Sequence, residues 1–317
     1  MNLTTRYLGL PLRNPFVVGA SPLCDDAHLA RQLQDAGAGA VVMRSLFEEQ
    51  LVPPLPDAAG DAGLGFPEYA DYQLSPDHYL RQLEQLKGQL TIPVIASLSG
   101  HQPGAWTEFA AHLERAGADA IELNFYQVVT DPAIAADQVE TEMLRTVGEV
   151  VNAVRIPVAV KLSPFHSSVA QLAIALELAG AAGIVVFNRF LQPDVDPETL
   201  EVRPLLRLSE SSELLLRLRW LAILSPQVRG SLAVSGGVHT ATDAVKALLT
   251  GAHAVQVVSV LLRHGPQVLP TLLRGLEIWM QEQGFTTLPD FRGRLNLARC
   301  RDPSAFERAN YIRILQS

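Results

Sequence analysis

Eight short apolar runs recur along the chain, separated by segments with helical periodicity. No other feature limits the fold as much. The runs are Phe16–Ser21, Ala40–Ser45, Pro93–Leu98, Ala120–Phe125, Pro157–Leu162, Gly183–Asn188, Ser231–Gly236 and Ala254–Ser259. They are rich in Val, Ile and Ala, as strands covered on both faces must be. Four of the intervening segments end alike: AGAGAV through Gly37, AGADAI through Gly117, AGAAGI through Gly180 and TGAHAV through Gly251. Glycine accepts the left-handed conformation that closes a helix, and a strand follows within a few residues. Helix starts are equally legible. Ser75-Pro76 reads as an N-cap with proline at the first helical position. Thr240 through Asp243 fits a capping box.

Eight strand–helix units in about 260 residues predict an α/β fold, a single (β/α)8 TIM barrel with long βα loops over its C-terminal face. An open doubly wound sheet uses the same units, but no G-x-G-x-x-G turn follows the first run. One domain over 1–317 is expected, with 266–317 as a C-terminal helical extension. The Pro/Gly-rich stretch 50–72 and the connection 190–208 are too long for tight turns. They are expected either to cover the active-site face or to be solvated surface loops.

Composition narrows the function classes. With 48% hydrophobic and 18% charged residues, the chain can build a sizeable core. A net charge of −8 without a basic stripe argues against a nucleic-acid partner. The opening residues do not read as a signal peptide, and no apolar run is long enough to span a membrane. Cys24 and Cys300 are isolated, with neither a disulfide framework nor a zinc spacing. The eight histidines form no H-x-H or H-E-x-x-H pattern, so no metal site is expected. A cytoplasmic location follows as the expectation.

In a barrel, strand C-termini face the active site. The runs end in Ser21, Arg44 and Ser45, Asn124, Lys161, Asn188, Ser235-Gly236-Gly237, and Ser259. Polar groups closing apolar strands are costly unless they meet a ligand or each other. Lys161 ends PVAVKL; its ammonium needs either an anionic or wet cavity, or an ion pair within the barrel mouth. Asn124 and Asn188 read as ligand contacts or as hydrogen-bonded turn residues. Ser235-Gly236-Gly237 after strand seven and Ser259 after strand eight occupy the places where barrels commonly bind phosphate.

Six motifs in order from residue 14 to residue 262 resemble the dihydroorotate dehydrogenase family. They are NPFVVGAS, IELN at Ile121–Asn124, VAVKLSPF at Val158–Phe165, IVVFN at Ile184–Asn188, SGGVHTATDA at Ser235–Ala244 and GAHAVQVVSVLL at Gly251–Leu262. The resemblance implies FMN as cofactor and oxidation of dihydroorotate to orotate, a step of pyrimidine biosynthesis. It places Ala20, Ser21, Arg44 and Ser45 around the flavin. Asn124 and Lys161 contact the isoalloxazine and ribityl chain, and Asn188 lies near flavin and substrate. Ser235, Gly236, Gly237 and Ser259 hold the phosphate. A cation beside the ring stabilises the anionic reduced flavin. Asn124, Asn188 and Arg189 are the implied substrate contacts. Soluble relatives are commonly dimers, so a homodimer is implied too. No membrane quinone is expected as acceptor, because the helical extension of the membrane-associated class is missing.

The chain departs from the family at the substrate end. Gln127 stands where the soluble class carries its catalytic cysteine, and an amide is no general base near neutral pH. The neighbouring Tyr126 is either a substitute base or an aromatic wall. Val129 replaces a substrate-binding asparagine, Leu64–Tyr69 matches the substrate loop only loosely, and Arg189, Arg44 and Val258 replace family residues. Lys161, Gln127 and Tyr126 therefore form the candidate catalytic set. A second reading keeps the flavin but changes the substrate to another small cyclic or anionic compound, which Arg44 and Arg189 would suit. A third is a non-redox barrel that binds a phosphorylated metabolite through Gly236, Gly237 and Ser259.

Overall fold

The computed structural model describes residues 1–51, 75–100, 105–125, 127–189, 192–308 and 310–316. Eight parallel strands form its centre: β1 (Phe16–Val18), β2 (Ala40–Val42), β3 (Val94–Ser99), β4 (Ala120–Asn124), β5 (Val158–Leu162), β6 (Gly183–Val186), β7 (Ser231–Ser235) and β8 (Ala254–Val257). They are hydrogen-bonded in the order β2-β1-β8-β7-β6-β5-β4-β3. Pairing of Val41 with Val94 and of Val42 with Ile95 joins β2 to β3 and closes the ring. A closed parallel barrel with intervening helices is thus observed, and the open sheet is excluded.

Helices α1 (Ala27–Asp35), α2 (Pro76–Gln89), α3 (Ala105–Arg115), α4 (Ala136–Ala153), α5 (Val169–Leu178), α6 (Leu214–Leu224) and α7 (Ala241–Thr250) wrap the outside. After the last strand come the short α8 (Ser259–His264), the longer α9 (Val268–Glu282) and the short α10 (Asn310–Gln316). Helix α9 packs on α7 as the eighth outer helix, so the eighth unit runs on through residue 282. The outer helices bury apolar residues against the strands; α4 buries Met143, Val147 and Val150, three and four residues apart. Burying one such side chain fully is worth about 1.5–3 kcal/mol. Gly37, Gly117, Gly180 and Gly251 all have positive φ, between 95° and 125°, as the four repeated endings require. Both expected helix starts form: Ser75 caps α2, and Thr240 and Asp243 cap α7 reciprocally.

The core has two layers. One lies between strands and helices. The other is inside the barrel, where Val17, Ala40, Val42, Ile95, Ala120, Ala159, Val185, Ala233 and Ala254 meet Tyr7, Leu8 and Leu12. Those last three come from an antiparallel hairpin, Thr5–Tyr7 with Leu10–Leu12, that plugs the N-terminal end of the barrel.

Some expected boundaries move. The first strand stops at Val18, so Ala20 and Ser21 lie on the turn beyond it; Ser259 opens α8 rather than ending β8. Residues 190–208 are not wholly loop. An antiparallel hairpin, Pro193–Asp196 with Glu201–Pro204, rises there and exposes Val195, Leu200 and Val202. Most of the stretch 50–72, including Leu64–Tyr69, lies outside the described residues. No described helix is long and apolar enough to cross a membrane.

Candidate functional site

Side chains alternate along a strand, so residues two beyond an inward-facing alanine also face inward. This rule carries the barrel interior from apolar to polar. Two residues past Ala120 comes Glu122, past Ala159 comes Lys161, past Ala254 comes Gln256, and past Ile95 comes Ser97. All four are buried. Above them opens a cavity of about 620 Å³. Its wall contains Ala20, Ser21, Arg44, Ser45, Asn124, Lys161, Asn188, Arg189, Ser235, Gly236, Gly237 and Ser259. The whole expected cofactor set, drawn from seven different strand ends, therefore meets in one place. Ser99, Ser209, Gln256, Phe47, Leu206 and Leu208 join it without having been expected.

Lys161 anchors the floor. Its Nζ lies 2.5 Å from Glu122 Oε1, and Gln256 Nε2 donates to Glu122 Oε2 at 2.5 Å. Glu122 has no exposure and Lys161 only 4%. Both sequence alternatives for Lys161 hold together: it is ion-paired inside the barrel mouth, and it lines the cavity. Beneath the pair, burial and the Glu122 charge hold the Tyr7 phenol well above its ordinary pKa.

The rim cations are paired too. Arg44 donates to Asp25, and Arg189 faces Glu213 at 3.4 Å. Neither guanidinium is a free anchor for an anionic ligand. Arg217, on α6, is a buried cation that donates to the Ser235 carbonyl and lies against the Gly236–Gly237 turn. Burial lowers its pKa.

The residues fit a flavin mononucleotide on one observation. Three buried polar atoms of the cavity wall, Ser99 Oγ, Asn124 Oδ1 and Gln256 Oε1, have no hydrogen-bond partner among the described residues. Orphaned groups of that kind call for a polar ligand. The glycine turn beside the cavity is fixed by the protein's own packing against α6. Gly236 and Gly237 have φ of 86° and 80°, and a Cβ on Gly237 would stand 2.6 Å from the Leu214 backbone nitrogen. Only glycine can hold the chain there.

The expected base position falls elsewhere. Gln127 lines a separate cleft of about 970 Å³ together with Phe125, Val128, Val129 and His166, and it is absent from the cavity wall. Tyr126 lies outside the described residues. Cys24 offers no replacement, since burial pushes its thiol up to about 12. Among the described residues no cluster of His, Cys, Asp and Glu is placed to hold a metal ion.

Comparison with known proteins agrees with this geometry. The family model described as dihydroorotate dehydrogenase matches residues 2–280. The chain is 29% identical to a putative dihydroorotate dehydrogenase A (fumarate) of Aeropyrum pernix, covering 92% of this chain and 96% of that one. It is 28% identical to the catalytic subunit of a dihydroorotate dehydrogenase B (NAD(+)) of Methanothermobacter thermautotrophicus, over 92% and 97%. It is also 26% identical to the NAD-dependent dihydropyrimidine dehydrogenase subunit PreA of Escherichia coli, over 93% of this chain and 77% of the relative.

Proposed function

Because the chain belongs to the dihydroorotate dehydrogenase family, we propose that it is an FMN-dependent oxidoreductase that oxidises a CH–CH bond of a small cyclic substrate. The observation that carries this reading is the single cavity that gathers the strand-end polar residues above the Lys161–Glu122 pair. Ser99, Asn124, Lys161 and Gln256 would hold the ring system, and Ser259, beside the Gly236–Gly237 turn, would hold the phosphate. Bound there, FMN supplies the hydride acceptor. The chain itself supplies orientation, a wall that excludes water, and one cation at the cavity floor.

Dihydroorotate is the family's substrate and the first to test. A neutral dihydropyrimidine suits the site better. The rim guanidiniums are already neutralised by Asp25 and Glu213, which leaves neither of them unpaired for an orotate carboxylate. That the chain also resembles a dihydropyrimidine dehydrogenase subunit supports this choice. The test is an absorbance spectrum of the purified protein, followed by anaerobic bleaching with dihydroorotate and with dihydrouracil. About one FMN per chain and faster bleaching by dihydrouracil are expected. Colourless protein that does not take up added FMN refutes the flavin and favours a non-redox phosphometabolite site.

A further inference from the structure

The phosphate end of the cavity contains a hydrogen-bond chain whose members come from three separate segments. Ser209, from the connection that precedes α6, is buried. Its Oγ lies 3.2 Å from His239 Nε2 and 2.9 Å from Ser259 Oγ, and it accepts the Gly237 N–H at 3.2 Å. The Ser209 N–H also donates to Ser259 Oγ at 3.0 Å. The Gly237 N–H, expected to grip a phosphate directly, is therefore given to Ser209.

Counting lone pairs and protons settles the direction of the chain. Ser259 Oγ accepts two bonds from Ser209, one from the amide and one from the hydroxyl, which fills both of its lone pairs. The Ser209 hydroxyl proton is thereby spent on Ser259. Its oxygen accepts from Gly237, and its second lone pair faces His239 Nε2 at 3.2 Å; that lone pair is filled when Nε2 carries the imidazole proton, which the Ser209 carbonyl beside it also attracts. Every site in the chain is then used except one, the Ser259 hydroxyl proton, and Ser259 lines the cavity. The surroundings favour an anion as its acceptor. Arg217 lies against Gly236, and burial followed by the nearby Arg263 charge lowers the His239 pKa against Asp243, a hydrogen bond to the Ser209 backbone and Glu213.

We propose that His239 and Ser209 are positioning residues that commit the Ser259 hydroxyl to donate to a phosphate monoester, and so discriminate FMN from riboflavin. This rests on the flavin reading above. A donor already accepting two bonds is polarised and strengthened as a donor, and a bond to an ionised oxygen is roughly twice as strong as one between neutral groups. Riboflavin carries the same ring without the phosphate, so the relay adds nothing to its binding.

The experiment titrates flavin-free protein with FMN and, separately, with riboflavin, following flavin fluorescence. Wild type is expected to bind FMN much the more tightly. Ser209→Ala and His239→Phe are expected to weaken FMN by roughly tenfold, with riboflavin affinity unchanged within about twofold. His239→Gln, whose amide N–H can donate in place of Nε2, is expected to retain most of the FMN affinity. Riboflavin thus serves as the internal check on folding. Equal losses for both flavins, or full FMN affinity in Ser209→Ala and His239→Phe, would overturn the relay while leaving the flavin reading intact. Wild type that binds neither flavin would overturn the flavin reading, and the relay with it.

Discussion

Replacing Lys161 by methionine separates two roles that the geometry combines. Methionine keeps most of the side-chain volume and removes the charge. Glu122 then loses the partner 2.5 Å away and, among the described residues, keeps the Gln256 amide, at a site with no solvent exposure. Breaking a buried pair by deleting one member costs about 3–5 kcal/mol, mostly because the other charge is stranded. Unfolding entropy of about 2.1 cal/mol/K per residue, over 317 residues, converts each kcal/mol into roughly 1.5 °C. Flavin-free Lys161→Met is therefore expected to melt about 5–8 °C below wild type. In the double variant Lys161→Met with Glu122→Gln no charge is stranded, and most of that loss is expected to return. FMN affinity is expected to stay low in both. Calorimetry of the flavin-free proteins and FMN titration read the two effects independently, which matters because bound ligand itself raises the melting temperature. A single variant as stable as wild type would show that the pair is not buried as described. A double variant with full FMN affinity would show that the Lys161 cation does not contact the flavin.

Three further outcomes follow from the same geometry. His253 is held at a pKa of about 4, by burial and by Arg292, against an ordinary 6.5. The unfolded chain therefore takes up a proton between pH 6.5 and 4 that the folded chain refuses. The contribution is full above pH 6.5 and fades as pH falls through that window, on the order of 3 kcal/mol in total; urea titrations at pH 7.5 and 5 should show the loss, and His253→Gln should reduce it. Gly237→Ala forces a side chain into a left-handed residue against the Leu214 backbone, so a stability loss of about 1–3 kcal/mol and weakened FMN binding are expected by the same methods. Gln127→Cys is expected to change dihydroorotate bleaching by less than roughly tenfold, because residue 127 faces the neighbouring cleft; rapid, saturable bleaching of the wild type in a stopped-flow instrument would refute the view that the base is missing.

Strand-end residues are legible because the barrel maps one sequence position, the C-terminal end of each apolar run, onto one surface. Asn124, Lys161, Ser235 and their companions need no side-chain detail to be brought together. Glu122 and Gln256 carry a readable signal as well. Each is a polar residue within an apolar run, and Glu122 precedes Asn124 by two positions and so shares its face. Ser209 and Arg217 have none. Ser209 lies in an irregular connection without periodicity. Arg217 resembles any polar residue of a surface helix until its guanidinium reaches back to Ser235. Gln127 lies beyond the point, Asn124, where β4 and its alternation stop, and it lines the neighbouring cleft. Beyond that point a motif alignment says which residue comes next but not which way it faces.

The hairpin plugging the barrel floor also sets an order of events during synthesis. Leu8 donates its N–H to Ser231, and Thr5 donates its hydroxyl to the His253 carbonyl. These partners are separated by 223 and 248 residues. At the ribosome's pace of about 5–20 residues per second, the hairpin waits roughly 11–50 s before its seat has been made. Until then the hairpin lacks the Ser231 and His253 partners that seat it. The seat that the earliest segment needs is thus among the last parts of the barrel to be made.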